Sequence, residues 1–397
     1  SNPAWYAVQA LPYLMEYPHE CSEQIFNRLY ANAFATHIVE QQPRIKTIFE
    51  SWKTDTPDAF LSKLEKNQDL KNALLEETPW VMQAKNESQR KKRIALLFDL
   101  NRMSTELDAA INKLSQNQLP NGGWPWFKGG RDNRYITQYI IAGFGKMMQL
   151  GVLDMENPVL RNMISKAINY ADKRMDEDHT KLTKKKLKYI SSLHVQYLYA
   201  RTYFTQDFPL KNKYIVVFDY FMEEAKKDWL GFERIKQAMI AQALHRTGDE
   251  QNAEIIMESI KEHALYDDEM GMYWRAKAGY YWYEAPIETQ AQMIEAFDEI
   301  LHDEASVELM KTWLLKNKQT SDWGNTRATA DACYALLLRG DNLIAEEGDV
   351  SIKIGGEEFD PTAEDDVTVE AGTGYFRHQW NGSEVKKEMA NISVSKN

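Results

Sequence analysis

Gln118-Leu119-Pro120-Asn121-Gly122-Gly123-Trp124-Pro125-Trp126-Phe127 is a glycine turn that carries an aromatic wedge. Such a turn suits a tight junction between an outer and an inner helix, its tryptophans stapling the chain by packing. A weaker echo, Ser321-Asp322-Trp323-Gly324-Asn325-Thr326, stands far downstream. Helices rich in Ala, Gln, Thr and aromatic residues recur around these turns, at 135–144, 191–204, 235–245, 288–297 and 326–338. Their centres lie roughly 40 to 55 residues apart, the length of one helical hairpin with its loops. Ordinary amphipathic helices, such as 159–170 and 250–263, run between them. One polar helix outside and one small-residue helix inside per repeat predict a closed ring of helices, with an open solenoid as the alternative.

Helix starts are well marked. Asn2-Pro3, Thr56-Pro57-Asp58 and Asn157-Pro158 each precede an apolar-periodic run, and 91–116 continues with helical spacing. From about residue 346 the period changes to two. Residues 349–354 alternate, Gly355-Gly356 turns the chain, and 367–370, 375–380 and 392–394 continue the pattern, with Asn381-Gly382 as a hairpin turn. About 50 residues of strand are too few for a core of their own. They are expected to belong to a β-sandwich completed elsewhere or to pack against the ring. The expected organisation is therefore a helical domain, 1–345, and a β-segment, 346–397.

Lys+Arg is 48 and Asp+Glu is 59, so the 397-residue chain carries a net charge of −11. That argues against nucleic acid as a partner, since a phosphate-backbone binder needs a basic face. Mean hydropathy is −0.57, no apolar run reaches membrane-span length, and no signal peptide is present. The chain opens directly into an amphipathic segment and reads as a piece excised from something larger. Two cysteines, Cys21 and Cys333, are too few for a disulfide framework or a Cys-rich zinc site. Cys333 lies in a small, apolar helical stretch and reads as a core filler.

Cys21 lies in Tyr13-Leu14-Met15-Glu16-Tyr17-Pro18-His19-Glu20-Cys21-Ser22-Glu23-Gln24-Ile25-Phe26. It stands three positions before Gln24 at the start of a helix, a spacing that brings the two side chains to one face. A thiol held against a carboxamide can attack it and expel ammonia, leaving an internal thioester. An incoming amine or hydroxyl then takes the Gln24 acyl group and Cys21 departs. The bond survives only where water is kept out, a task for Tyr13, Met15, Tyr17, Phe26 and Tyr30. The plainer alternative makes Cys21 a buried cysteine and Gln24 a helix-capping amide.

This stretch resembles the C-G-E-Q thioester motif of the α2-macroglobulin and complement family, and most of all its bacterial members. There the second position varies, as with Ser22 here, and an aromatic-Pro pair precedes the cysteine. The lead-in Trp5-Tyr6-Ala7-Val8-Gln9-Ala10-Leu11-Pro12 is similar too, as are 118–127, 135–139 and 323–337, which resemble the family's α/α-toroid repeats. The terminal strands resemble the returning part of a CUB-like β-sandwich. The resemblance implies Cys21 and Gln24 as thioester partners with Glu23 as motif support. It implies a single-use acyl donor and endopeptidase inhibitor rather than a turnover enzyme. Attacking proteases would be captured through lysine after bait cleavage elsewhere in a parent chain, whose other domains shield the bond. It further implies a periplasmic or cell-envelope setting, a membrane anchor outside this chain, no cofactor, and a role in defence or colonisation.

The remaining inventory is thin. No pair among the eight histidines has helical zinc spacing, and no metal site is expected. His19, two residues before Cys21, is a weak candidate for its base. His179 and His194 are weak candidates for the histidine that some relatives use to direct the acyl group to hydroxyls. His179 otherwise reads as a solvated loop residue and His194 as a packed one. The run 181–188 reads as a solvated basic face, and 267–269 and 365–366 as surface acid. The sequons at Asn86, Asn381 and Asn391 carry no meaning in a bacterial source. Two rivals remain: an α/α-toroid carbohydrate-active enzyme with paired carboxylates in a tryptophan-lined mouth, and a toroid serving only as a binding scaffold.

Overall fold

Side-chain caps mark where the helices begin. Asn133, Asn157 and Asn325 each accept hydrogen bonds from backbone N–H groups of the turn that follows, as do Asp249 and Asp303. Each cap satisfies donors that the first turn of a helix leaves unpaired. The computed structural model describes residues 3–15, 17, 19–41, 100–275, 285–319, 322–338, 350–361 and 378–396. The expected helix start at 56–58, the strands at 367–370 and 375–377, the acidic pair 365–366 and the sequon at Asn86 lie outside them. So does the part of 91–116 before Leu100, along with Glu16, Pro18 and Ser321.

The fold is mainly helical. The helices are α1 (Pro3–Met15), α2 (Ser22–Gln41), α3 (Leu100–Asn117), α4 (Arg134–Gln149), α5 (Pro158–Lys185) and α6 (Ser192–Thr202). There follow α7 (Asn212–Asp228), α8 (Arg234–Arg246), α9 (Glu250–Glu262), α10 (Pro286–Ala296), α11 (Glu304–Lys316) and α12 (Thr326–Leu337). A short antiparallel hairpin, β1 (Leu265–Asp267) and β2 (Gly271–Tyr273), joins α9 to the later helices.

The chain divides into two compact units. The helical unit takes in Tyr6–His37 and Met103–Leu338. Within it two kinds of helix alternate. From Ile136 to Met147, α4 is almost continuously buried, as are α6 from His194, α8 from Ala238 to Leu244, α10 from Gln290 and most of α12. These helices pack on one another in the order α4, α6, α8, α10, α12. By contrast, α5, α7, α9 and α11 bury one stripe and expose the rest, as with Ala253, Ile256, Met257 and Ile260 on α9. A helix covered on every side has little room for unpaired charge, hence the Ala, Gln and Thr content of the first set, and buried charged residues such as Arg201 find partners inside.

The tryptophan turns connect the two sets. The Trp124 indole N–H donates to the Leu114 carbonyl at 2.8 Å, and its backbone N–H donates to the Thr137 hydroxyl at 2.9 Å. Trp323 repeats both contacts, with the Leu314 carbonyl at 2.8 Å and the Thr329 hydroxyl at 3.0 Å. A third staple, unseen in the sequence reading, is Trp274, whose indole N–H donates to the Ile260 carbonyl at 2.9 Å. Gly122 and Gly271 both have positive φ, and a Cβ on either would sit 2.2 or 2.1 Å from the carbonyl oxygen of Lys166 or Leu309. Glycine lets the turn press directly onto the outer helices α5 and α11.

The other unit holds an open, antiparallel three-stranded sheet of order β4-β3-β5, with β3 (Val350–Ile354), β4 (Glu357–Phe359) and β5 (Ile392–Lys396). Gly355 and Gly356 both have positive φ and form the expected turn, with Ile352 facing Phe359 on one side and Val394 on the other. Residues 378–380, expected as strand, are not strand. Asn381 does begin a turn, closed by the Glu384 N–H on its carbonyl at 2.9 Å, but it leads to the 3-10 turn Lys387–Ala390 rather than into a hairpin.

Gly122→Ala and Gly271→Ala should each lower stability by at least about 2 kcal/mol, because strained φ adds to a backbone clash. Gly248→Ala, with positive φ but open space around it, should cost less. Urea midpoints of the three variants check the order.

Candidate functional site

Cys21 caps α2. Its carbonyl accepts the first helical bond, from Ile25 N–H at 3.0 Å. Its own N–H donates to the Gln24 carboxamide oxygen at 3.2 Å. This is half of a capping box, with cysteine in the place usually held by serine or threonine. The spacing that suggested a reacting pair is thus also a capping spacing, and the cap holds the Gln24 carboxamide beside Cys21. Cys21 is 4% exposed.

The α2 N-terminus is anchored from outside. Ser22 N–H donates to the Trp126 carbonyl at 2.9 Å, so the glycine–tryptophan turn also holds this site. The Arg28 guanidinium donates to the Tyr17 carbonyl at 2.7 Å, and Lys113 donates to Glu20, which clamps the short segment before Cys21. Met15, Phe26 and Tyr30 are buried, while Tyr13 and Tyr17 are half-buried and meet edge to face at 5.5 Å.

Glu23 is the best-connected side chain here. One carboxylate oxygen accepts from the Thr326 hydroxyl at 2.8 Å and from the Asn27 amide at 2.5 Å. The other lies 3.7 Å from the Cys21 thiol sulfur. Asn27 in turn accepts from the Tyr139 hydroxyl at 2.9 Å. Glu23 therefore ties α2 to α12 directly and to α4 through Asn27, partners that a reading of α2 alone does not reveal. Burial raises the Glu23 carboxyl above its ordinary value, with the Thr326 hydrogen bond the main opposing cause. Burial also raises the Cys21 thiol, and the Glu23 charge adds to the rise. At neutral pH Cys21 is a thiol rather than a thiolate.

The other candidates lie elsewhere. His19 is exposed and packs on Tyr17 at 5.6 Å. His179 lies within α5, against Tyr220 at 4.8 Å, rather than in a loop, because α5 runs on to Lys185. His194 is buried as expected, 3.2 Å from Asp178, which also pairs with Arg134. Burial lowers the pKa of His194. Cys333 is buried, its pKa pushed up to about 12 by burial, and it points at the Ala7 carbonyl. Asp267 accepts from the N–H groups of Glu269 and Met270 and closes the β1–β2 turn. Among the described residues no cluster has the makings of a metal site, and no helix is long and apolar enough to cross a membrane.

A cavity of about 40 Å³ lies among the buried helices, lined from α2, α4, α6, α8, α10 and α12 by residues that include Asn27, Lys146, Gln196, Lys236, Gln292 and Arg327. At ~10–15 Å³ for each water it holds about three water-sized groups, far short of a sugar ring. Trp124, Trp274 and Trp323 do not line it; they staple turns.

No family model matches this chain, and no curated protein does. Among solved structures it is similar to native α2-macroglobulin from Escherichia coli, in a crystal structure running from domain MG7 to the C-terminus. The TM-score is 0.47 at 16% identity, covering 90% of this chain and 45% of that one. A cryo-EM reconstruction of the native conformation gives 0.47 at 14% identity, covering 90% and 18%. The E. coli protein activated by porcine elastase gives 0.40 at 16% identity, covering 65% and 21%. The chain spans less than half the length of each of these proteins.

A thiol raised above the ordinary value of about 8.5 should react with iodoacetamide at a rate still climbing at pH 9, where an unperturbed thiol would be levelling off. Glu23→Gln removes a nearby negative charge, so Cys21 alkylation at pH 8 should become several-fold faster. Stopped-time alkylation read by mass spectrometry checks both.

Proposed function

We propose that this chain is the thioester-bearing domain of an α2-macroglobulin-like protease trap, and that Cys21 and Gln24 form its internal thioester. The observation that carries the reading is the contact at the head of α2. A buried cysteine and a glutamine carboxamide are held side by side, with the carboxamide oxygen on the cysteine's own N–H at 3.2 Å. A cap alone needs no thiol, whereas acyl transfer does.

In the proposed step the Cys21 sulfur attacks the Gln24 side-chain carbon. The S–C bond forms, the C–N bond breaks, and ammonia leaves with the thiol proton. Glu23, within reach of the thiol, takes that proton and passes it to the departing nitrogen. Its elevated pKa suits the task, since it brings the carboxyl closer to working pH. Thr326 and Asn27 hold the other oxygen and aim the group. The stored acyl group is spent once. A lysine amine of an attacking protease attacks the thioester carbon, the C–S bond breaks, and the protease stays attached to residue 24 by an amide.

On this reading the alternating helices close as an α/α toroid in which α2 lies between α12 and α4, and the β3–β5 sheet is part of a CUB-like sandwich. The parent protein works in the periplasm or cell envelope, anchored outside this segment, with its other domains keeping water from the bond until a bait is cut. The domain is then an inhibitor component and not a turnover enzyme.

Peptide mapping across Cys21–Gln24, with and without methylamine, tests the reading. The expected peptide is lighter by one ammonia, or carries methylamine or Glu at position 24, and Cys21→Ala abolishes all three. Glu23→Gln should slow bond formation at least tenfold even though it speeds alkylation. A free Cys21 beside an unchanged Gln24, indifferent to methylamine in this chain and in its full-length parent, overturns the proposal.

A further inference from the structure

The lining of the cavity among the buried helices is rich in cations, with further carboxylates, Glu288 and Glu233, set behind it. That lining carries three cations, Lys146, Lys236 and Arg327, and one carboxylate, Asp331. Lys146 uses that carboxylate, with Nζ 2.8 Å from Asp331 Oδ1. Arg327 comes no nearer than 3.9 Å, from Nε to Asp331 and to Glu288, which is beyond hydrogen-bond distance, and its Nε is buried with no hydrogen-bond partner. Lys236 donates to the Met239 thioether at 3.5 Å, a weak acceptor for an ammonium.

Gln196 adds a third unmet need. It is 5% exposed, lines the same cavity, and its carbonyl oxygen has no partner. Two half-buried cations without a close carboxylate partner of their own and one orphaned acceptor thus face one small space, whose polar needs a small occupant would meet. Burial and the nearby Arg327 charge push Lys236 down to about 8, so it is still mostly protonated at pH 7.

We infer that this cavity is a binding site for a small monovalent anion, from halide to formate or bicarbonate in size, held between Lys236 and Arg327. Lys236 supplies a point charge and Arg327 a planar fork of donors, which suit a halide and a planar oxyanion alike. The volume of about 40 Å³ admits such an ion with one accompanying water, and that water donates to Gln196. It excludes a phosphate ester or a sugar. Lys146 is already neutralised and serves as wall. The site does not depend on the thioester: Arg327 and Lys236 hold the ion whether or not Cys21 and Gln24 are joined.

Thermal unfolding of the full chain tests the inference, in sodium bromide or sodium formate against sodium gluconate, which is too large to enter, at constant ionic strength. Saturable binding to the folded state should raise Tm by about 2 °C. Lys236→Met, of similar length and uncharged, should melt alike in bromide and gluconate once the general salt effect is matched. Bromide soaked into crystals of the unmutated protein should give an anomalous peak within hydrogen-bond reach of Lys236 Nζ. The peak decides the matter if Lys236→Met does not fold. An equal melt in gluconate and bromide for the unmutated chain, a bromide effect retained in Lys236→Met, or a cavity without a bromide peak overturns the inference.

Discussion

One hydrogen bond recurs at the junctions of the helical unit: a tryptophan indole N–H on the last carbonyls of a preceding helix. Trp124 reaches Leu114, Trp274 reaches Ile260 and Trp323 reaches Leu314, each within 2.8–2.9 Å. The donor adds a bond to a carbonyl of the last helical turn, which at Leu114 and Ile260 also accepts a backbone N–H, and the ring fills the corner that the turn creates. The same turn that Trp124 staples offers the Trp126 carbonyl to Ser22. The head of α2, and with it the Cys21–Gln24 contact, is therefore held by a packing device rather than by a loop of its own.

Helices buried on every side need their polar groups satisfied internally. The amides of α8 and α10 do this in a chain. Gln292 donates to Gln242 at 2.5 Å, and Gln242 donates to Glu299 at 2.7 Å. Arg246 donates to Glu299 at 2.6 Å, and the Tyr199 hydroxyl donates to Glu295 at 2.6 Å. Asp172 performs a similar service for Tyr197 and Arg201, whose guanidinium is 2% exposed. A buried network of this kind rigidifies its helices when every member is paired. Some buried polar atoms stay unpaired, Arg201 Nη1 and both ends of the Gln138 amide among them, and Gln196 and Arg327, with Lys236, line a single cavity.

The Cys21 thiol is shielded by its surroundings. Burial and the Glu23 charge favour the protonated thiol, which protects it from oxidation and from stray electrophiles. The same neighbours put a carboxylate within reach of the thiol proton and a carboxamide oxygen on the Cys21 backbone N–H.

The alternation of helix types was legible in the sequence because period and residue size both report burial: Ala and Gln crowd 235–245, while 250–263 keeps a single apolar stripe. The proximity of Cys21 and Gln24, observed as a cap, was legible because i, i+3 proximity is a property of one helix. Trp274 escaped notice because its turn lacks the paired glycines of 122–123, although Gly271 plays the same part. The strand expected over 378–380 failed because alternation over a few residues says nothing of a pairing partner. Local geometry thus determined which residues form helices, which of these are buried all round, and which carboxamide caps the helix that Cys21 heads. Only the tertiary structure decided that Thr326 holds Glu23, that Trp126 anchors α2, and that Lys236 and Arg327 share a cavity. Those contacts join residues far apart in the chain, and the free energy of a buried polar group is set by neighbours that only folding brings near.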